Sequence, residues 1–355
     1  MTLLTGRSHT YGPNYWTGKY PDQPSKGAGR ISAAAWRWRF LLCAAMFTLS
    51  ASVVAAPRVA TDIAPVHSLV AMVMKDIGQP QLVIQRGASP HSYSLRPSEA
   101  AALEDAEVVF WTSSQLTPWL ERALENLSGD ARRVELVQTE GTVRHEFREA
   151  IEFSQPQEPA VDRHEHADHD HDHDHDHEHS HEGIDPHAWL DPLNAQNWIT
   201  VIANTLAQTD PANAAAYRSN ANEARERLST LIAEVDTELE PVRNDAFIVF
   251  HDAYQYFEKR FELNGVGAIA LSDATDPSPA RIAAIRRIVE HHDVRCVFAE
   301  PQFNPALVTT VLNGTDAGTG VLDPLGSDIP EGIGFYPALL QDLSSSLADC
   351  LRDNA

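Results

Sequence analysis

Cysteine is scarce in this chain, three among 355 residues, at Cys43, Cys296 and Cys350. None belongs to a close Cys pair of the kind that structural zinc sites use. Basic residues are also few, 27 Lys and Arg against 50 Asp and Glu, for a formal charge of −23. That balance argues against nucleic acid or an anionic membrane surface as a partner and favours attraction of cations. Plain solubility explains an acidic balance equally well, so charge alone decides little. The sequence contains no Gly-x-Ser-x-Gly, the local signature of serine hydrolases, and its one His-Glu-x-x-His, His177–His181, falls inside a low-complexity run of His, Asp and Glu rather than the amphipathic helix that zinc proteases place it on. A zinc hydrolase is the main competitor from another class, but it needs a positioned general base and a substrate pocket. The chain is therefore read as a non-enzyme.

Arg30, Arg37 and Arg39 precede an apolar stretch from Phe40 to Ala56 that ends in small residues. This pattern reads as a secretory signal peptide with an N-terminal extension over residues 1–55, cleaved near Ala55 or Ala56. A membrane anchor is the alternative, since the run approaches the lower limit of ~17 residues for a spanning helix. Leu42 before Cys43 speaks against lipid modification. Without this segment the chain keeps 21 basic and 49 acidic side chains, a formal charge of −28. Cys296 and Cys350 then remain as one even pair in an exported protein, and a disulfide is the natural reading. Closing a loop of that length stabilises by about 4 kcal/mol in the chain-entropy model.

With 43% hydrophobic residues, the remainder is globular and long enough for two cores of ordinary size. Strand-like runs at Gln81–Gln85, Ala106–Trp111 and Arg133–Thr139 alternate with helical patterns at Ser98–Asp105 and Pro118–Leu127. A second series of strands is predicted at Phe247–Phe250, Val266–Ile269, Val294–Ala299 and Gly320–Leu322. Such alternation implies parallel sheets covered by helices. Pro211 to Glu240 has no internal Pro or Gly, with Pro211 favouring initiation and Pro241 a stop. The expectation is an α/β protein of two lobes, residues 57–209 and 245–355, joined by one long rigid helix over 210–241 with a cleft between them. Residues 155–183 belong to neither core. There His164, His166, His169, His171, His173, His175, His177, His179 and His181 are interleaved with Asp and Glu, and too little apolar surface exists to order the segment.

The other histidines carry the strongest signal. His251 follows the apolar run Phe247–Phe250, at the carboxyl end of a strand, where open α/β sheets bind ligands. His91 stands in a loop after Gln81–Gln85, in Gly-Ala-Ser-Pro-His-Ser-Tyr. His187 occupies a turn in Asp-Pro-His-Ala-Trp-Leu-Asp-Pro, and Asp323 follows a third strand-like run. Three neutral imidazoles with a carboxylate or water suit tetrahedral zinc, whereas manganese or magnesium would use more oxygen ligands. Spacing by itself does not show that these residues converge. His67, His145, His291 and His292 have no loop context that demands metal. Glu300, at a strand end, fits either a hydrogen-bonding partner of the site or a packing role.

At these residues the chain resembles the substrate-binding proteins of bacterial zinc ABC importers, the ZnuA type. Gly-Ala-Ser-Pro-His-Ser-Tyr-Ser-Leu-Arg-Pro-Ser, Asp-Pro-His-Ala-Trp-Leu-Asp-Pro, Phe-His-Asp-Ala-Tyr-Gln-Tyr-Phe-Glu, Cys-Val-Phe-Ala-Glu-Pro-Gln-Phe and Leu-Asp-Pro-Leu-Gly look like its signature segments, in order between Pro57 and Leu351. The resemblance implies that His91, His187 and His251 ligate Zn2+, the transported ion, with Asp323 near or in the fourth position. It also implies a Cys296–Cys350 disulfide, a periplasmic location, and a membrane permease and ATPase as partners; a monomer is expected. Pro90 stands where some relatives carry a Glu before the first histidine, so water or Asp323 must complete the sphere. Manganese-binding cousins are similar but place a carboxylate where this chain has His251. The histidine tract reads either as auxiliary weak zinc sites or as a solvated linker. A periplasmic zinc buffer or chaperone without an importer is the remaining alternative.

Overall fold

The computed structural model describes residues 55–148, 150–153, 183–270 and 277–354. The signal segment up to residue 54 and the nine histidines of the tract lie outside them.

Two four-stranded parallel sheets organise the chain. The first contains β1 (Val59–Thr61), β2 (Gln81–Leu82), β3 (Val108–Trp111) and β4 (Arg132–Glu135), in the order β2-β1-β3-β4. The second repeats that order as β6-β5-β7-β8, with β5 (Phe247–His251), β6 (Gly265–Ala270), β7 (Cys296–Ala299) and β8 (Gly318–Val321). Each sheet thus has a switch point, between β1 and β3 and between β5 and β7, and ligands of open α/β sheets bind at the carboxyl ends there. β3 and β5 are buried along their whole length, which is why they read as unbroken apolar runs rather than alternating ones.

The helices are α1 (Ala64–Val73), α2 (Pro97–Asp105), α3 (Pro118–Leu127), α4 (Pro192–Thr209), α5 (Ala214–Leu239), α6 (Gln255–Phe261), α7 (Pro279–His291), α8 (Ala306–Leu312) and α9 (Phe335–Asp353). α2, α3, α4 and α7 each begin on a proline, where the missing N–H would have had no helical partner in any case. The linking helix is α5, 26 residues or about 39 Å, flanked by 3-10 turns at Pro211–Asn213 and Glu240–Val242. It is more than a strut. Tyr217, Ala221, Ala224, Leu228, Leu231, Val235 and Leu239 form one buried stripe at helical spacing, and the helix packs against α1, α4 and α9.

Several boundaries differ from the sequence reading. The strand expected at Arg133–Thr139 ends at Glu135, and Leu136–Gln138 forms a 3-10 turn closed by the Thr139 hydroxyl, which donates to the Leu136 carbonyl at 2.7 Å. The strand over Gln81–Gln85 contracts to two residues before a turn in which Ala88 N–H donates to the Gln85 carbonyl. β7 begins at Cys296 rather than Val294, and β8 covers Gly318–Val321.

One apolar core runs through both sheets, from Val59 and Phe110 to Phe247, Phe298 and Leu351. A smaller cluster around Ile248, Phe250 and Ile285 fills the far side of the second sheet. A disulfide joins Cys296, the first residue of β7, to Cys350 in α9.

Candidate metal site

Two of the three expected histidines are fixed by buried carboxylates. His251 is the last residue of β5, and Glu300 follows β7 directly across the switch point. Glu300 Oε1 accepts from the His251 backbone N–H at 3.1 Å, and both carboxylate oxygens lie 2.8 Å from His251 Nδ1. His187 precedes a 3-10 turn at Ala188–Leu190. Asp185 Oδ1 accepts from its backbone N–H at 3.0 Å and lies 2.7 Å from its Nδ1. An ionised carboxylate can only accept, so with Asp185 and Glu300 ionised each imidazole presents its proton at Nδ1 and its lone pair at Nε2. Burial pushes the Asp185 carboxyl up to about 7, against the lowering pull of the His187 backbone hydrogen bond and the Arg148 charge.

His91 sits in the loop after β2. That loop is held to its own lobe by Trp119 Nε1, which donates to the Pro90 carbonyl at 2.8 Å, and by the Tyr93 hydroxyl, which donates to Glu99 at 2.8 Å. Ring centroids of His187 and His251 are 5.3 Å apart, and those of His91 and His187 5.6 Å. Two imidazoles bound tetrahedrally to one zinc, with Zn–N of ~2.0–2.1 Å, place their centroids roughly 5 Å apart. The spacing therefore fits a shared ion. Among the described residues no three His, Cys, Asp or Glu side chains already form a closed ligand set. It is the ring spacing and the anchored nitrogens that point to metal.

Trp189, Phe303, Pro324 and Leu325 complete the walls around the three histidines. The cavity measures about 20 Å³, room for one ion or water and far below the several hundred Å³ of an organic-substrate pocket.

Asp323 is buried next to this cavity but does not line it. Its Oδ1 accepts from Gln302 Nε2 at 2.8 Å and Leu325 N–H at 3.0 Å, and its Oδ2 from Ser327 N–H at 2.6 Å and Ser327 Oγ at 2.5 Å. The carboxylate organises the loop after β8. The remaining described histidines lie elsewhere. His67 is buried with Nε2 3.2 Å from the Pro80 carbonyl, and burial lowers its pKa; His292 pairs with Glu152 at 2.7 Å; His145 packs on the Tyr256 ring. Sequence reasoning did not single out Asp185. Its signal was an Asx residue two positions before the histidine, a spacing at which the side chain bonds backbone two residues on.

Fold and site together define a class: a two-lobed α/β binding protein whose cleft holds an ion-sized cavity walled by imidazoles. The model of the family described as "Zinc-uptake complex component A periplasmic" matches residues 59–350, and the chain belongs to that family. The high-affinity zinc uptake system protein ZnuA of Brucella abortus (strain 2308) is 42% identical over 312 residues, covering 82% of this chain and 91% of the relative. A crystal structure of ZnuA superposes with a TM-score of 0.65 at 22% identity, over 83% of this chain and 99% of that one. A manganese-bound periplasmic metal-binding protein of Candidatus Liberibacter asiaticus reaches the same TM-score of 0.65 at 20% identity, over 83% and 99%. The fold is therefore shared across proteins of different metals and does not choose the ion.

Proposed function

We propose that this protein captures Zn2+ in the periplasm, after export by its N-terminal segment, and delivers it as a monomer to the permease of a zinc ABC importer. The observation that carries this reading is the pair of carboxylate-anchored imidazoles, His187 and His251, facing each other at 5.3 Å with His91 5.6 Å from His187. These three are the proposed ligands. The four hydrogen bonds taken by Asp323 favour water in the fourth position over that carboxylate. Neutral nitrogen donors suit zinc better than manganese, and His251 stands where an oxygen ligand would serve the latter. Because ligand imidazoles must be unprotonated, capture weakens as pH falls. In this reading zinc is cargo, and the cavity between the three histidines is of a size to hold one ion. The tract histidines at 164–181 act as auxiliary, weak zinc sites.

A calorimetric zinc titration at neutral pH tests the reading on the mature protein, on a variant lacking residues 162–182, and on that variant with His91, His187 and His251 all changed to Ala. One tight site that survives removal of the tract and disappears with the triple change is expected. Loss of tight binding with the tract alone would make the protein a zinc buffer.

A further inference from the structure

Besides Arg86, whose Nη1 donates to the Ile329 carbonyl at 2.8 Å, two arginines nearer the candidate site cross between the lobes in opposite directions, and each grips a carboxylate close in sequence to a histidine of the other side. Arg148, on the segment leading out of the first lobe, directs its hydrogen bonds among the described residues to the second lobe. Its Nε donates to both oxygens of Asp252 at 3.0 Å, its Nη2 also bonds Asp252, and its Nη1 donates to Glu258 Oε2 at 2.5 Å. The guanidinium lies 3.5 Å from the centroid of the Phe153 ring. Arg260, in α6 of the second lobe, reaches back. Its Nε and Nη2 donate to the two oxygens of Asp191, each at 2.7 Å. Asp191 and Asp252 are nearly fully buried, and fork-to-carboxylate pairs of this kind fix orientation as well as distance.

Each carboxylate is locked to a histidine by short backbone structure. Asp252 directly follows His251, in a turn where Ala253 N–H donates to the His251 carbonyl at 2.8 Å. His187 and Asp191 flank the two ends of a single 3-10 turn, Ala188–Leu190. α6 supplies a further crossing, because the Tyr256 hydroxyl donates to the Asp185 carbonyl at 2.8 Å. Asp185 is the anchor of His187.

We infer that Arg148 and Arg260 are positioning residues for metal capture: each lobe's arginine grips the carboxylate beside the other lobe's histidine, holding His187 and His251 in register across the cleft. The clamps act through Asp252 and Asp191 and touch no ion. They rest on the zinc-capture reading of the same site and add what sets its width. A site built this way is assembled by charge pairs within the protein, so the ion does not have to draw the lobes together. Arg–carboxylate geometry, rather than positive charge alone, is the requirement.

The test uses the full exported protein and the variants Arg260→Met, Arg148→Met, Arg260→Lys and Arg148→Lys. Leu228→Ala, in the core stripe of α5, serves as a control for lost stability. Zinc affinity is read by competition with a chromogenic chelator, site geometry by the visible absorption of one equivalent of Co2+, and fold by the melting temperature of the metal-free protein. The Met variants are expected to lose about 10-fold in zinc affinity, at the low end of what direct partners of metal ligands give, with altered Co2+ bands. The Lys variants should recover only part of the loss. Leu228→Ala should melt lower yet bind zinc as the parent does. Met variants that melt lower but keep parental affinity and Co2+ bands would reduce the arginines to braces and overturn the inference. Arg260 is partly exposed, so its variants decide the matter should Arg148→Met fail to fold. A parent protein with no tight site dependent on His91, His187 and His251 would instead remove the zinc-capture reading, and the clamp inference with it.

Discussion

The two sheets share one strand order, and at the switch point of each a buried carboxylate ties two strand ends together, yet only one of them reaches the cleft. In the first sheet Asp62, after β1, accepts from the backbone N–H of Ile63 at 2.8 Å and of Thr112 at 2.6 Å. In the second sheet Glu300, after β7, accepts from the backbone N–H and the Nδ1 of His251. The carboxylate stands on opposite strands of the two switch points, after β1 in one sheet and after β7 in the other, and it is a stitch in one lobe and the holder of a candidate ligand in the other. The cause is local. β5 ends on a histidine whose ring turns back to the neighbouring carboxylate, whereas β1 runs from Thr61 through Asp62 into the first turn of α1, offering only backbone donors. The first lobe offers its candidate ligands from loops, and Asp185 bonds His187 there as Glu300 bonds His251 at the strand end.

Reducing the Cys296–Cys350 bond, or changing both residues to Ser, removes a staple from the far end of the strand that leads to Glu300. A stability loss of about 4 kcal/mol is expected from the chain-entropy model, measured by denaturant unfolding, with zinc affinity nearly unchanged because the staple and the site sit at opposite ends of β7. Asp62 should matter for pH instead of metal. Burial raises its carboxyl from 3.8 to about 6, so the native state binds a proton that the unfolded chain has already released. The stabilisation is fully present below about pH 4, falls as pH rises to about 6, and amounts to roughly 3 kcal/mol. Asp62→Asn should flatten that slope in unfolding curves while zinc binding stays put.

Glu300→Gln should do the reverse. Zinc affinity is expected to drop by about 10–100-fold in a competition titration, with a smaller effect on unfolding than the disulfide change. Equal zinc losses in Asp62→Asn and Glu300→Gln would abolish the distinction between stitch and holder. The smallest effect is expected from Asp323→Asn. If its oxygens serve the Ser327 loop and water fills the fourth position, zinc affinity changes by less than about fivefold, the size of one ordinary hydrogen bond. A loss as large as that of Glu300→Gln would put the carboxylate on the ion.

Much of this arrangement was legible in the residues alone. The unbroken apolar run before His251 announced a buried strand with a histidine at its carboxyl end, and the stretch without Pro or Gly after Pro211 announced the linking helix. Cys296 and Cys350, an isolated even pair, are joined in the structure. Features that depend on partners far apart in sequence were not legible. Arg148 and Asp252 are 104 residues apart, Arg260 and Asp191 69, and no periodicity relates them. Asp323 was conspicuous by its position after a strand, but its engagement by Ser327 and Gln302 depends on how one loop folds. The turn at Leu136–Gln138 escaped for a related reason: β-prone residues there are overruled by the Thr139 hydroxyl bonding back to Leu136.

The central claim is that one zinc ion is shared by His91, His187 and His251. X-ray absorption at the zinc K-edge, on protein lacking residues 162–182 and loaded with one equivalent of zinc, tests it most directly. The account predicts about three imidazole nitrogens and one oxygen at ~2.0–2.1 Å, with the imidazole signal lost when the three histidines are changed to Ala. A first shell made mostly of oxygen, or an imidazole signal that persists without those three residues, would contradict it.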